Sequence, residues 1–198
     1  MGYSKYKNLN QLTKKFALNA LSTALFRQID PVAPSPWLLQ SLEYAYINPP
    51  TNEKAKSERL VSPVLVEVSR HFSEHIALFS GEEINANPDN DLNGPCDFFF
   101  ALHPPKPYLD TPIISLAEAK NEDLAWGIAQ CAAQIYGAHL FNLSEQKNIP
   151  TLYGCATTGS DWQFMKFENN IFYIEPKPVT DLPLVLGIWH TIIKTYLV

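Results

Sequence analysis

The sequence predicts an α/β fold, a mixed central sheet flanked by helices and preceded by an N-terminal helical extension, and three observations carry that expectation. Two apolar segments, Phe98-Phe99-Phe100 and Ile113-Ile114-Ser115-Leu116-Ala117, read as buried strands, because a run with little polar alternation suits a strand covered on both faces. Residues 121–141 are rich in small residues at helical spacing, and 151–158 then read as a further strand. That order is the strand, helix, strand crossover that joins parallel strands with right-handed geometry. The size agrees, since 198 residues with 46% hydrophobic content suffice for one such core and are short for two.

Taken in order, Leu9, Leu12, Phe16, then Ala20 or Leu21, then Ala24 or Leu25 recur at three- and four-residue spacings, which predicts an amphipathic helix over 9–26, ending before Asp30-Pro31. Ser35 can cap a second short helix over 37–46, with Pro36 at its first position, where a missing N–H is not needed. Asn48-Pro49-Pro50-Thr51-Asn52 reads as a linker and divides the helical extension, residues 1–50, from the main domain, residues 51–198. Leu60, Val64, Val68 and Phe72 place a helix over 53–72, with Ser62-Pro63 expected to kink it or divide it. Residues 75–79 and 83–86 suggest strands about the Ser80-Gly81 turn, and the Asn-, Asp- and Gly-rich stretch 87–94 a loop entering the Phe98 strand.

The loop His103-Pro104-Pro105-Lys106-Pro107-Tyr108 returns the chain to the next strand. In the crossover helix Leu124, Ile128, Cys131, Ile135 and Ala138 form an apolar face, and Gly127, Ala129, Ala132, Ala133 and Gly137 permit close approach to the sheet. Asn121 is the candidate N-cap, and Glu122 and Asp123 suit the helix dipole. Residues 163–168 and 171–175 alternate about Asn169-Asn170 as a hairpin does. A closing amphipathic helix over 182–196 contains Trp189.

Several chemistries find no support. No apolar stretch approaches the ~20 residues that span a bilayer, and the opening residues lack the apolar segment of a signal peptide, so the expectation is a cytoplasmic protein with no membrane partner. Cys96, Cys131 and Cys155 are odd in number, lie in apolar segments and lack metal-finger spacing, which predicts buried thiols. His71, Glu74 and His75 spell an inverted zinc motif, His-x-x-Glu-His, without a third ligand nearby. There is no Walker loop and no Gly-x-Gly-x-x-Gly, and Ser160 lacks a nucleophile elbow.

The residues that carry chemistry are Asp97, at the start of the Phe98 strand, and Glu118 and Lys120 on the strand that follows. Side chains two apart on a strand share a face, so Glu118 and Lys120 point together, and a hairpin return brings Asp97 beside them. Carboxylates suit a hard divalent cation, and an ammonium can orient a water or steady charge on a phosphate. A plain ion pair on a strand also explains Glu118 and Lys120. A carboxylate at the start of a buried strand, however, needs a partner or a metal.

Gly94, Cys96-Asp97-Phe98, Glu118-Ala119-Lys120 and the following helix with Gln130 and Gln134 together resemble the PD-(D/E)XK nuclease superfamily, over residues 53–175. The chain looks most like its small cyanobacterial and bacterial members, and residues 53–63 are similar to the opening helix of type I restriction subunits. The resemblance implies a restriction-endonuclease-like core and a Mg2+-dependent nuclease, with Mn2+ as the alternative metal, that hydrolyses phosphodiesters of DNA. It further implies that Asp97, Glu118 and the Ala119 carbonyl hold the metal, that Lys120 orients water and that Gln130 positions phosphate. The assisting helical acid is Glu58, ahead of Glu53 and Glu67. Two departures stand: Cys96 interrupts the Pro-Asp pair, and Gln134 occupies the place of a Tyr expected four residues after Gln130.

Charge bears on this reading. The net charge is −5, whereas nucleic-acid affinity comes largely from Lys and Arg. Residues 1–72 carry nine Lys/Arg against five Asp/Glu, and residues 73–198 carry six against fifteen. A basic arm can hold a backbone while an acidic core holds metal; the same lysines and arginines can equally be solvated helix faces. Thr157, Thr158 and Ser160 can likewise donate to phosphate or simply form a polar turn. The alternative function is a non-catalytic binding or interaction protein of the same fold in a restriction or defence assembly. For an enzyme that cuts both strands, the expected assembly is a homodimer.

Overall fold

The computed structural model describes residues 2–197. After a 3-10 turn at Tyr3–Lys5 come helix α1 (Leu9–Phe16), strand β1 (Asn19–Ser22) and helix α2 (Pro36–Ile47). A short helix α3 (Glu53–Lys56), a π-helical segment (Ser57–Val61) and α4 (Ser62–His71) then run on continuously. Strands β2 (Ala77–Ser80), β3 (Phe98–Ala101) and β4 (Ile113–Ala119) form an antiparallel meander. Helix α5 (Leu124–Ser144) crosses to β5 (Thr151–Thr157), which lies parallel to β4. The hairpin β6 (Trp162–Glu168) and β7 (Ile171–Ile174) and helix α6 (Leu182–Lys194) complete the chain.

The seven strands form one mixed sheet in the order β1-β7-β6-β5-β4-β3-β2. The Phe98–Phe100 run shows why the sheet has two covered faces. Phe98 and Phe100 pack with Leu65, Phe164 and Trp189 on the side of α4 and α6, while Phe99 packs with Leu116, Ile135 and Phe172 on the side of α5. Alternation along the strand thus sends apolar rings into both layers, each fully buried ring contributing ~1.5–3 kcal/mol. Cys96, Cys131 and Cys155 are buried free thiols, as their apolar surroundings predicted. Among the described residues, no helix is long and apolar enough to cross a membrane.

Local chemistry explains most element ends. Ser35 caps α2 by accepting the Leu38 N–H, and Pro36 occupies its first turn. The hairpin turn at Asn169 and Asn170 has φ of 51° and 60°, the left-handed pair that a two-residue loop requires. Pro63 cannot donate a hydrogen bond, and its ring crowds the carbonyl four residues back. The helix accommodates it by widening into the π segment, in which the Ser62 N–H reaches the Ser57 carbonyl. The expected kink is therefore a widened turn in an unbroken helix.

Three expectations are corrected. The helix predicted over 9–26 stops at Phe16, where Ala17 adopts φ 52°, and residues 19–22 instead form β1, parallel to β7. All four β1 residues are exposed, so backbone pairing with an otherwise open strand, and not an apolar face, fixes this segment. Its Asn and Ser also favour non-helical backbone. The stretch before the linker is therefore not wholly helical, and β1 makes it part of the sheet. Residues 83–86 form no strand; Glu83 makes only an isolated bridge to Pro95, where the meander runs out into the Asn-rich loop. The cap of α5 is Asp123, which accepts the Trp126 N–H at 2.9 Å, and not Asn121, whose backbone is engaged by α3.

Candidate active site

Asp97 lies one residue before β3. Because Phe98 pairs with Ala117, Asp97 stands opposite Glu118, beyond the last paired rung. Its Oδ2 accepts the Ala119 N–H at 2.9 Å, so a side chain replaces the main-chain acceptor that the ladder would have supplied. Glu118 projects from β4 toward α5. Its Oε1 lies 2.6 Å from Lys120 Nζ, and its Oε2 accepts from Gln134 Nε2 at 2.6 Å. Side-chain exposure is only 2% for Glu118 and 6% for Lys120, so this is a buried pair and not a surface one.

Lys120 is threaded past α5. A Cβ on Gly127 would lie 2.9 Å from Lys120 Cγ, so the missing side chain makes room for the lysine stem. The ammonium sits 5.2 Å from the centre of the Trp126 ring, within cation-π range. The Lys120 N–H donates to the Thr157 carbonyl at 2.7 Å, tying the end of β4 to β5. On its fourth side Lys120 meets Glu53, with Nζ 3.5 Å from Oε1.

Electrostatics follow from this crowding. Burial raises the Asp97 carboxyl above its ordinary range, against the opposing effects of the Ala119 N–H and Lys120. Burial, and after it the Asp97 charge, pushes Glu118 up to about 8 against the pull of Lys120 and Gln134. For Lys120, burial works to lower the pKa, but Glu118, Glu53 and Asp97 outweigh it and hold the ammonium above its usual value. Three acidic side chains thus surround one ammonium, two of them, Asp97 and Glu118, held largely out of water.

Asp97, Glu118 and Lys120 are therefore brought together. Glu58 is not part of that contact: it pairs with Lys54 at 3.0 Å and is well exposed. It does border, with Glu53 and Asp97, an open cleft of about 360 Å3 that Ser57, Ser62, Ser80 and Phe98 also line. Glu67 is committed to the fold, accepting the Ser35 N–H and hydroxyl at 2.9 Å each. Gln130 does not reach Glu118. It lines a separate cavity of about 350 Å3 with Tyr3, Asn93 and Pro95, and its Oε1 is buried without a partner among the described residues. Gln134, one turn further, fills the place expected of it.

Trp126, Gly127 and Asn121 are site neighbours that the sequence reading did not assign. The signal for Gly127 was a glycine inside a helix directly after a tryptophan. Thr157, Thr158 and Ser160 form a polar turn: Thr157 Oγ1 accepts the Gly159 N–H, and Thr158 and Ser160 bond Asp161. His71 lies against His190, ring centres 4.4 Å apart. Among the described residues, no three His, Cys, Asp or Glu side chains gather to hold a metal by themselves. No protein-family model matches the chain, and no curated protein matches it.

Proposed function

We propose that the chain is a Mg2+-dependent nuclease, with Mn2+ as the alternative metal, that hydrolyses phosphodiester bonds of DNA. The observation that carries this reading is the convergence of Asp97, Glu118 and Lys120 at one end of β3 and β4. The element order supports it as well: a helix, an antiparallel meander, a crossover helix and a fourth strand parallel to the third frame the residues in the sequence that the PD-(D/E)XK resemblance implies.

The donor set fits a hard divalent cation. Mg2+ is commonly held by one or two carboxylates with waters and substrate oxygens completing the shell, so a third acid is not required. Asp97 keeps one oxygen free of the Ala119 bond, Glu118 lies opposite it, and the Ala119 carbonyl is the further candidate ligand. Burial first, and the neighbouring acid charges after it, raise both carboxyls, and a cation bound between them would offset that cost. Bound there, the metal would polarise the scissile phosphate and lower the pKa of a water. Lys120 holds and orients the attacking water and steadies charge on the phosphate. Gln134 orients the Glu118 carboxylate through its hydrogen bond to Oε2, and Glu58 borders the cleft through which substrate approaches.

A second reading, a non-catalytic interaction protein of the same fold, is favoured by one observation: both Glu118 oxygens are already engaged, by Lys120 and by Gln134. A Mg2+ titration with labelled DNA separates the two. The nuclease reading expects cleavage that requires metal and disappears in Asp97→Ala; indifference of the wild-type protein to Mg2+ and Mn2+ would sink it.

A further inference from the structure

We propose that the Glu53 carboxylate occupies an anion site meant for a phosphate of the substrate, and that α3 is a strap that lifts to admit it. The identity of the substrate rests on the nuclease reading; the anion site rests on the geometry around Glu53.

Two donors, from the adjacent residues that follow β4, converge on this carboxylate. Lys120 Nζ lies 3.5 Å from Oε1, and the Asn121 N–H reaches Oε2 at 3.3 Å. Lys56 of α3 donates to the Asn121 carbonyl at 2.7 Å, a contact that the strap gives up together with Glu53 when it lifts. An ammonium and a backbone N–H aimed at one point are what a phosphate oxygen requires. The rest of the Lys120 side chain lies against Glu118, Trp126 and Gly127, so Glu53 stands on the side where an incoming anion would meet it.

The present occupant is loosely held. Its contacts are long beside the 2.6 Å pair of Lys120 with Glu118, and its side chain is 49% exposed. Exposed ion pairs are weak because water competes for both partners. The element that carries it is equally weakly anchored: α3 has four residues and buries none of them. Before it lies the linker with Pro49 and Pro50, and after it the π segment, so the strap is bounded by two non-standard stretches. Segments with little buried apolar surface open at low free-energy cost. A tetrahedral phosphate that engages Lys120 and the Asn121 N–H, both of which stay in place when α3 lifts, replaces the carboxylate with a better-matched anion.

The test measures inorganic phosphate binding by calorimetry, in chelator and without divalent metal, on the full chain. Glu53→Gln should bind phosphate about two- to fivefold more tightly than wild type, the range expected from removing a half-exposed competing ion pair. Glu53→Ala, which removes the side chain outright, should do the same. Amide exchange across residues 48–61 should quicken in both, and Lys120→Met placed on either variant should abolish the gain. Equal affinity in wild type and both Glu53 variants, or a gain that survives Lys120→Met, overturns the proposal. Cleavage is not read in this experiment. Absence of nuclease activity would therefore sink the nuclease reading and leave the anion site standing, whereas metal-dependent cleavage without the phosphate effect sinks the anion site alone.

Discussion

Gly127→Ala tests how Lys120 is held, because two effects of opposite sign meet there. In an open helix interior the substitution would stabilise by ~1 kcal/mol, the cost of glycine's backbone freedom. Here the added methyl would lie 2.9 Å from Lys120 Cγ and 3.2 Å from Ala156 Cβ. Neither neighbour yields easily: Cγ is close to the β4 backbone, the ammonium beyond it is tied to Glu118, and Ala156 is held in β5 between Glu118 of β4 and Gln163 of β6. Overpacking of this kind costs ~1–3 kcal/mol, so the net expectation is a loss of ~0–2 kcal/mol. A double-mutant cycle in urea sharpens the test. In a Lys120→Ala background Cγ is gone, and the same Gly127→Ala change should become less harmful by about 1 kcal/mol or more. That background should remain foldable, since the Glu118 carboxyl, already pushed up to about 8, can take a proton in place of its lost partner. Additivity of the two substitutions, or a Gly127→Ala protein more stable than wild type, would refute the account of Lys120 threaded past α5.

Two further outcomes follow from contacts described above. Gln134→Leu keeps the volume but leaves the buried Glu118 Oε2 without its donor, and should lower unfolding stability in urea by ~1–3 kcal/mol; a change below ~0.5 kcal/mol would show that this bond is not maintained in solution. Burial, then His71 and Lys194, depress His190 to about 4 from an ordinary value near 6.5. The unfolded chain therefore takes up this proton below 6.5 while the native protein resists it, so stability should fall as pH drops from 6.5 toward 4, and His190→Phe should flatten that limb; an unchanged slope between those values counts against the assignment.

What the sequence made legible was periodic or local. The three phenylalanines announced a strand covered on both faces, and Asn169-Asn170 announced a turn that needs left-handed backbone; each feature is encoded within a few residues. The same is true of Asp97, Glu118 and Lys120, since strand alternation and a hairpin return suffice to bring them together. What was not legible depended on where finished elements sit. Spacing puts Gln130 and Gln134 on one edge of α5, but four residues are ~6 Å of helix axis, and only the sliding position of the helix selects between them. That position is set by close approaches at Gly127 to Lys120 and at Gly137 to Tyr3, which are tertiary facts. The same reason placed Glu53, and not Glu58, beside Lys120. The segment 19–22 misled differently: its apolar spacing was compatible with a helix, while its actual partner, β7, lies far along the chain.

That distant pairing has a consequence for how the protein is made. Leu25 and Phe26 donate to Glu175 at 2.6 and 2.9 Å, across sequence separations of 150 and 149 residues, and β1 rests on a strand of the same late region. At ribosomal rates of ~5–20 residues per second, the early segment waits about 8–30 s before the strand it completes has been synthesised. Throughout that interval residues 19–22 have no native backbone partner, and Leu21, exposed even in the finished fold, is open to chaperones and to neighbouring nascent chains. Assembly of the sheet is thus sealed by residues translated well before the strand on which they finally rest.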